Sequence, residues 1–423
     1  MVNLSNNVFL HWESKVQSYA RNFPCVFDRA IGAEVWDSRG YRYLDFLCGA
    51  GSLNYGHNNP VLKDALIEYI ERNAITHSLD LHTIAKQRFL EAMRDIVLLP
   101  RSMNYVIQFT GPTGANAVEA ALKIARKVTG RSNIISFTNA FHGVTMGALS
   151  TTGSEHHRIG AGVPLPNTTV MPYANYFGDN LDTIEYLEAM LCDQSSGIDE
   201  PAAIILETVQ GEGGLKSAKP DWLRRLQTLC NSRNILLIID DIQAGCGRTG
   251  TFFSFEAAGV EPDIITLSKS LSGYGLPLSV VMFKRDLDIW KPGEHNGTFR
   301  GNNHAFVTAT AALEYYWRSP KLMEDVRSKS ALLTHRLKEF LHCFPEQLVG
   351  LRGRGMMRGI TCADPQWAAR VTAKAFKNGL IIERSGPKDE VIKFLMPLTI
   401  QEAELQEGLD ILESAMEDEE LRF

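Results

Sequence analysis

Seven cysteines are scattered through 423 residues without a CxxC pair, and an odd, dispersed set suggests neither a disulfide framework nor a zinc cluster. No apolar run approaches the roughly 18 residues of a membrane span. The opening MVNLSNNVFLHWESKV lacks the basic-then-apolar order of a secretory leader. Basic blocks are missing as well: 43 Lys and Arg against 49 Asp and Glu leave a net charge of −6, without the electrostatic footprint that nucleic acid demands. No GxxxxGK[ST] occurs. The eleven histidines, His142 and the His156–His157 pair among them, show no HExxH or other metal-ligand spacing, so they read as structural or incidental and no metal site is expected. These absences point to a cytoplasmic chain that engages neither membrane nor nucleic acid.

What is present is an ordinary globular composition, 44% hydrophobic and 22% charged, on a chain long enough for one large core and a smaller companion. Between about residues 105 and 285, short apolar runs alternate with longer amphipathic stretches: IISF (134–137), AAIIL (202–206), ILLII (235–239), DIITLS (263–268) and LSVVMF (278–283). They are β-branched and do not alternate in polarity, as strands buried on both faces read. NAVEAALKIARKV places Val118, Ala121, Leu122, Ala125 and Val128 at spacings of three and four, with Gly130 as a stop, which predicts a helix with one face on a sheet. The expected architecture is α/β: a mostly parallel, doubly wound sheet in a large domain (61–310), with a smaller α+β domain built from an N-terminal segment (1–60) and a C-terminal lobe (311–423).

Ligands of open parallel sheets bind beyond the carboxyl ends of the strands. Glu207 follows AAIIL, Asp240 follows ILLII and Lys269 closes DIITLS. On neighbouring strands, these three would converge at one rim. Small residues crowd Lys269 in TLSKSLSGYG, and a desolvated lysine loses its proton and becomes the nucleophile of a Schiff base. That chemistry suggests pyridoxal phosphate, which needs a phosphate site, a carboxylate at its pyridine nitrogen and a surface against its ring. Gly114 and Ala115 open a helix whose free N–H groups suit a phosphate. Asp240 can supply the carboxylate, and Phe141 and Ile242 the ring contact. Taken singly, each has a plainer reading: a buried ion pair, a helix cap, a core phenylalanine. GCGRTG (245–250) matches GxGxxG literally, but it stands several residues past its strand and opens TFFSFE, a poor helix start, so the dinucleotide reading fails.

At this point the sequence resembles the class III, ornithine-type aminotransferases of the fold-type I pyridoxal phosphate enzymes. YLDFLCGAGSLNYGHNNP, GANAVEAALK, FHG, ETVQGEGG, IIDDIQAGCGRTG, LSKSLSGYGLP and HNGTFRGNN occur in family order, and Asp240 and Lys269 stand 29 positions apart. The resemblance implies that Lys269 is the catalytic lysine, bonded to the cofactor and moving the proton. It further implies that Asp240 faces the pyridine nitrogen, Gln243 the ring hydroxyl, Ile242 and Phe141 the two ring faces, and Gly114 and Ala115 the phosphate. Glu207 and Glu212 match two glutamates lining the pocket. Thr298 is similar to the threonine that reaches the phosphate of the other subunit, which implies a homo-oligomer with shared active sites.

Two departures bear on substrate. Asn116 stands where the family often has Glu, and Lys393, in VIKFLMPL, stands where it often has an arginine that clamps a carboxylate. Lysine is a point charge without arginine's fork, so carboxylate recognition is assigned to Lys393 together with Arg300 or the AGSLNYG segment, where Asn54 is the candidate, and Glu212 is the partner of the cation. Longer runs, FTGPTGANAVEAALK, SFTNAFHGVTMGALS and DDIQAGCGRTGTFFSFEAAG, resemble the diaminobutyrate-forming branch of the family that serves ectoine biosynthesis. That branch implies transfer from L-glutamate to L-aspartate 4-semialdehyde, giving L-2,4-diaminobutyrate and 2-oxoglutarate, by a ping-pong route. Related branches serve siderophores and peptide antibiotics. Other ω-aminotransferases (4-aminobutyrate, ornithine or lysine), an aminomutase and a catalytically idle cofactor-binding regulator remain the alternatives. Ectoine-type relatives respond to K+, for which the sequence shows no site.

Overall fold

The apolar runs of the middle of the chain form one seven-stranded sheet. Its order is Tyr105–Phe109, Val280–Lys284, Ile264–Leu267, Leu236–Asp240, Ala203–Leu206, Ile134–Phe137 and Thr168–Met171. The structure, a computed structural model, describes residues 8–418. The first seven positions of the N-terminal segment and the last five of the C-terminal lobe therefore lie outside the described residues.

The absence of alternation in these strands now has its cause. Ile135, Ile204, Leu237 and Ile265 enter the apolar core on one face of the sheet, while Ile134, Ala203, Ile238 and Ile264 enter the core on the other. A strand with two buried faces has no reason to carry polar residues at every second position. Strands 134–137, 168–171, 203–206, 236–240 and 264–267 are mutually parallel. Val280–Lys284 is not, although its sequence reads like the others: it runs antiparallel to both of its neighbours. The connection from Leu267 holds only residues 268–279, with a short 3-10 turn at Lys269–Ser272 and no helix. With no helix to cross a face of the sheet, the chain turns back instead.

The helix Gly114–Thr129 buries Val118, Ala121, Leu122 and Ala125 against the sheet and ends at Gly130, which takes φ 68°. Two further sheets flank this core. Phe27–Ile31, Glu34–Asp37 and Arg42–Asp45 form an antiparallel meander extended by Leu380–Ile381, which pairs in parallel with the third strand. Leu348–Arg354, Met357–Cys362, Val391–Phe394 and Glu383–Ser385 form an antiparallel four. A second apolar core gathers Leu44 and Phe46 from the start of the chain with Leu333, Leu337, Ile360, Phe394 and Leu409 from its last third. Both ends of the chain thus close on one body. Among the described residues, no helix is long and apolar enough to cross a membrane.

Candidate active site

Three parallel strands end side by side, with Leu206 opposite Ile239 and Asp240 opposite Thr266. The residues just beyond them, Glu207, Asp240 and Lys269, form the rim expected of an open parallel sheet. Lys269 leaves its strand with φ 49°, a left-handed conformation that costs a residue with a Cβ about 1–2 kcal/mol. Such strain persists where the surroundings over-determine it. The lysine Nζ donates to the carbonyl of Ala50 at 2.8 Å, and Gln243 Nε2 donates to the same oxygen at 3.1 Å. Ala50 belongs to a turn in which Cys48, Gly49, Ala50 and Gly51 all have positive φ, and this left-handed turn aims its carbonyl at the amine. Burial lowers the pKa of Lys269. The nearby Glu212 opposes that shift and the Lys393 ammonium adds to it.

Asp240 is 4% exposed and fully engaged. Its Oδ2 lies 2.7 Å from Nδ1 of His142, and its Oδ1 accepts from the Ile242 N–H at 3.2 Å and the Thr266 hydroxyl at 3.1 Å. A carboxylate can only accept, so Nδ1 of His142 carries the proton in this contact. The other ring nitrogen, Nε2, is buried without a hydrogen-bond partner. His142, read from the sequence as structural or incidental, thus holds Asp240 together with Thr266 and the Ile242 N–H.

Glu207 braces two turns. Its Oε1 accepts from the Phe141 N–H at 3.0 Å and its Oε2 from the Gly211 N–H at 2.9 Å. Burial pushes this carboxyl up to about 7, with the Asp240 charge adding to the rise and His142 opposing it. The linkage sign follows. The folded state holds this proton more tightly than an unfolded chain does, so the stability it lends is present below about pH 4.5 and is lost as pH rises towards 7. Glu207→Gln removes the titration and keeps the size. Its stability deficit against the parent chain is expected to be largest near pH 4.5 and to shrink by up to about 3 kcal/mol as pH rises through 7. Urea unfolding across that range checks this, and a deficit independent of pH would contradict it.

Beside Lys269 lies a buried ionic triad. Lys393, whose side chain is 0% exposed, places Nζ 2.9 Å from Oε1 of Glu212 and 3.0 Å from Oε1 of Glu383. Glu212 also accepts from Gln243 at 3.5 Å, which links the triad to the amide that shares Ala50 with Lys269. Burial alone would raise the Glu212 carboxyl; the Lys393 and Lys269 ammonium groups overcome it and hold it at about 2. Burial works against the charge of Lys393, and the two carboxylates more than offset it, so its pKa is raised. The hydroxyl of Tyr19 is pushed up by burial and then by Glu383 and Glu212, which places the N-terminal helix Tyr19–Asn22 at the edge of this cluster.

The remaining predicted residues divide. Gly114 opens its helix directly against Ile242: a Cβ there would stand 2.9 Å from the Ile242 Cδ1, so a larger residue would push the Ile242 side chain aside. The N–H groups of the first turn, including those of Gly114 and Ala115, have no intrahelical acceptor. Asn116 turns back on the cap, its Oδ1 accepting from the Thr113 hydroxyl at 2.9 Å. The ring of Phe141 meets that of His157 edge-on at 5.4 Å. Three predicted side chains are engaged elsewhere, although the Asn54 N–H donates to the hydroxyl of Ser270, next to Lys269, at 3.2 Å. Asn54 is 1% exposed and spends its side chain on the Cys246 carbonyl and on Arg248, a fully buried arginine that also holds the Met356 and Met396 carbonyls. Thr298 and Arg300 lie in the loop beside the sheet's edge strand Tyr105–Phe109, where Arg300 donates to the Asn296 and Phe109 carbonyls.

Glu383, His142 and the Ala50 carbonyl escaped sequence reasoning. His142 had a signal, its place beside Phe141 in FHG. Glu383 had a weaker one, an acid inside the apolar GLIIE. The role of a backbone carbonyl leaves no mark in side-chain chemistry.

Residues 16–416 match the sequence model of the family described as Aminotransferase class-III. A diaminobutyrate–2-oxoglutarate transaminase of Vibrio cholerae is 56% identical over 410 residues, covering 97% of this chain and 99% of the relative, and one of Vibrio parahaemolyticus is 56% identical over 411 residues, covering 97% of each. Among solved structures, the ornithine aminotransferase of Toxoplasma gondii superposes with a TM-score of 0.83 at 29% identity, covering 96% of this chain and 93% of that one.

Proposed function

The chain belongs to the class III aminotransferase family, and from that premise we propose that it transfers an amino group from L-glutamate to L-aspartate 4-semialdehyde, giving L-2,4-diaminobutyrate and 2-oxoglutarate. The cofactor is pyridoxal phosphate, and the residues present suit it. A half-buried lysine with a depressed pKa, a carboxylate fixed by His142, a buried Gln243 Oε1 without a partner and a helix start with free N–H groups stand around one rim. When bound, pyridoxal phosphate supplies the electron sink that lets an amine and a carbonyl exchange places.

The chain's own residues do the rest. Lys269 gives up the Ala50 carbonyl, and its amine, whose pKa burial lowers, is placed to move the proton between the reacting carbon and the carbon two atoms away. Asp240, anchored by His142, Thr266 and the Ile242 N–H, would present its carboxylate to the pyridine nitrogen. Gly114 and Ala115 would hold the phosphate at the helix start, Ile242 and Phe141 would bound the ring and Gln243 would meet the ring hydroxyl, while Glu207 holds the Phe141 turn in place.

One observation carries the substrate reading beyond the family: the Glu212–Lys393 pair standing beside Lys269. Glutamate bears a carboxylate on its reacting carbon and needs a free cation there. The reacting carbon of diaminobutyrate bears none, and there the cation is better neutralised. A half-buried acid paired with a buried ammonium serves both, with Glu212 exchanging and Lys393 staying. Thr298 and Arg300 we assign to the site of a second copy. Their loop meets the segment after the helix Pro60–Glu71, through Phe299 edge-on to His77 and Asn296 to Asp80, and Leu79, Leu81 and Phe299 are large apolar residues exposed in the single chain. We place the enzyme in the reducing cytoplasm and its product in ectoine formation, with siderophore or peptide-antibiotic formation as the other destinations of this diamine.

The test is a comparison of amino donors against 2-oxoglutarate on the purified, cofactor-loaded protein. L-2,4-diaminobutyrate is expected to exceed ornithine, 4-aminobutyrate and lysine by at least about tenfold in kcat/KM. Preference for another donor would replace the substrate and leave the chemistry of Lys269 standing. Turnover of a diamine without 2-oxoglutarate would indicate an aminomutase.

A further inference from the structure

The triad holds two carboxylates for one ammonium, and they are not equivalent. Glu212 follows the QG turn and keeps 35% of its side chain exposed, while Glu383 keeps 6% and Lys393 none. Glu383 and Lys393 are direct partners across the antiparallel strands Glu383–Ser385 and Val391–Phe394. Their contact is thus set by main-chain register, not by a mobile turn. A substrate carboxylate arriving at Lys393 competes with the acid that faces the cavity. It cannot displace one that is sealed in a sheet.

We propose that Glu383 is a positioning residue: the permanent counter-ion that keeps the Lys393 ammonium charged and in place while Glu212 withdraws to admit a substrate carboxylate. The proposal rests on the transaminase reading above. A lysine with 0% exposure needs it in a way that an arginine would not. Arginine stays protonated in any protein environment and grips a carboxylate through two N–H groups, whereas a buried lysine stripped of its partners sheds its proton. The groups facing Lys393 are Glu212, Glu383, Lys269 and the hydroxyl of Tyr19. With Glu212 gone, Glu383 is the one carboxylate among them. Burial and the Glu212 charge push Glu383 up, so withdrawal of Glu212 favours its ionised form at the step where Lys393 needs a counter-charge.

The two half-reactions separate this role from general damage. On cofactor-loaded Glu383→Gln, single-turnover absorbance should show KM for glutamate and for 2-oxoglutarate raised about tenfold or more, with the limiting rate changed less than about threefold. The half-reaction with diaminobutyrate, whose reacting carbon carries no carboxylate, should change less than about twofold. The alkaline limb of the 2-oxoglutarate profile should move to lower pH, because an unsupported Lys393 deprotonates sooner. Glu383→Asp keeps the charge and should restore most of the affinity and the pH limb. Should the glutamine variant fail to fold, the aspartate variant carries the test, with a smaller rise in KM again confined to the dicarboxylates. Equal losses in both half-reactions, or an unmoved pH limb, would reduce Glu383 to a structural part and overturn the proposal. Failure of the parent enzyme with diaminobutyrate would instead remove the substrate reading.

Discussion

Lys269→Ala is expected to lower turnover by at least about 10,000-fold and to abolish the visible absorbance that marks covalent attachment of the cofactor, with the fold retained. The expectation is unusually clean because of where the lysine sits. Its side chain makes one hydrogen bond, to the Ala50 carbonyl, so truncation removes little packing. Alanine also keeps a Cβ at φ 49°, so the strain of the left-handed position is the same in both proteins. The loss is therefore chemical. Added small primary amines should recover part of the rate, since they can carry the proton that Lys269 carried, but not the absorbance of the attached state. Turnover that persists without added amine would defeat the assignment of Lys269.

This lysine was legible in the sequence because its surroundings are written in neighbouring residues: an apolar strand, a run of serines and glycine, and an acid 29 positions earlier. The parallel strands were legible for the same reason, since burial on both faces leaves a continuous apolar run. The direction of Val280–Lys284 was not, because apolar content reports burial and says nothing of polarity along the sheet. The 268–279 connection holds no crossover helix, and the chain turns back there. Asp240 was visible as a strand-end acid, whereas its tie to His142 spans 98 positions and exists only once the strands Ile134–Phe137 and Leu236–Asp240 flank Ala203–Leu206. Asn54 shows the converse. An amide in a Gly-rich turn reads as a ligand, yet the buried guanidinium of Arg248 needs acceptors and takes it.

Asp240→Asn is expected to lower kcat by about 1,000-fold and to weaken cofactor retention about tenfold, while leaving the unfolding midpoint of the cofactor-free protein nearly unchanged. Asparagine has the same shape. Its amide oxygen can still accept from the Ile242 N–H and the Thr266 hydroxyl, so the local main chain keeps its hydrogen bonds. Its NH2 would then face the Nδ1 of His142, and the imidazole, buried at 2% exposure, must present a bare nitrogen to it. The pair re-forms with the proton on the other side and the negative charge gone. The remaining change is electrostatic: nothing anionic faces the pyridine nitrogen, and the electron sink weakens. His142→Asn should cost far less, about tenfold, because Asp240 keeps its charge and two of its three contacts. If His142 acts only by orienting Asp240, the double variant should be no worse than Asp240→Asn alone. Rates and absorbance spectra of the three loaded proteins, taken with urea unfolding of their cofactor-free forms, decide the point. Additive losses would mean that the buried Nε2 of His142 has a function apart from the aspartate.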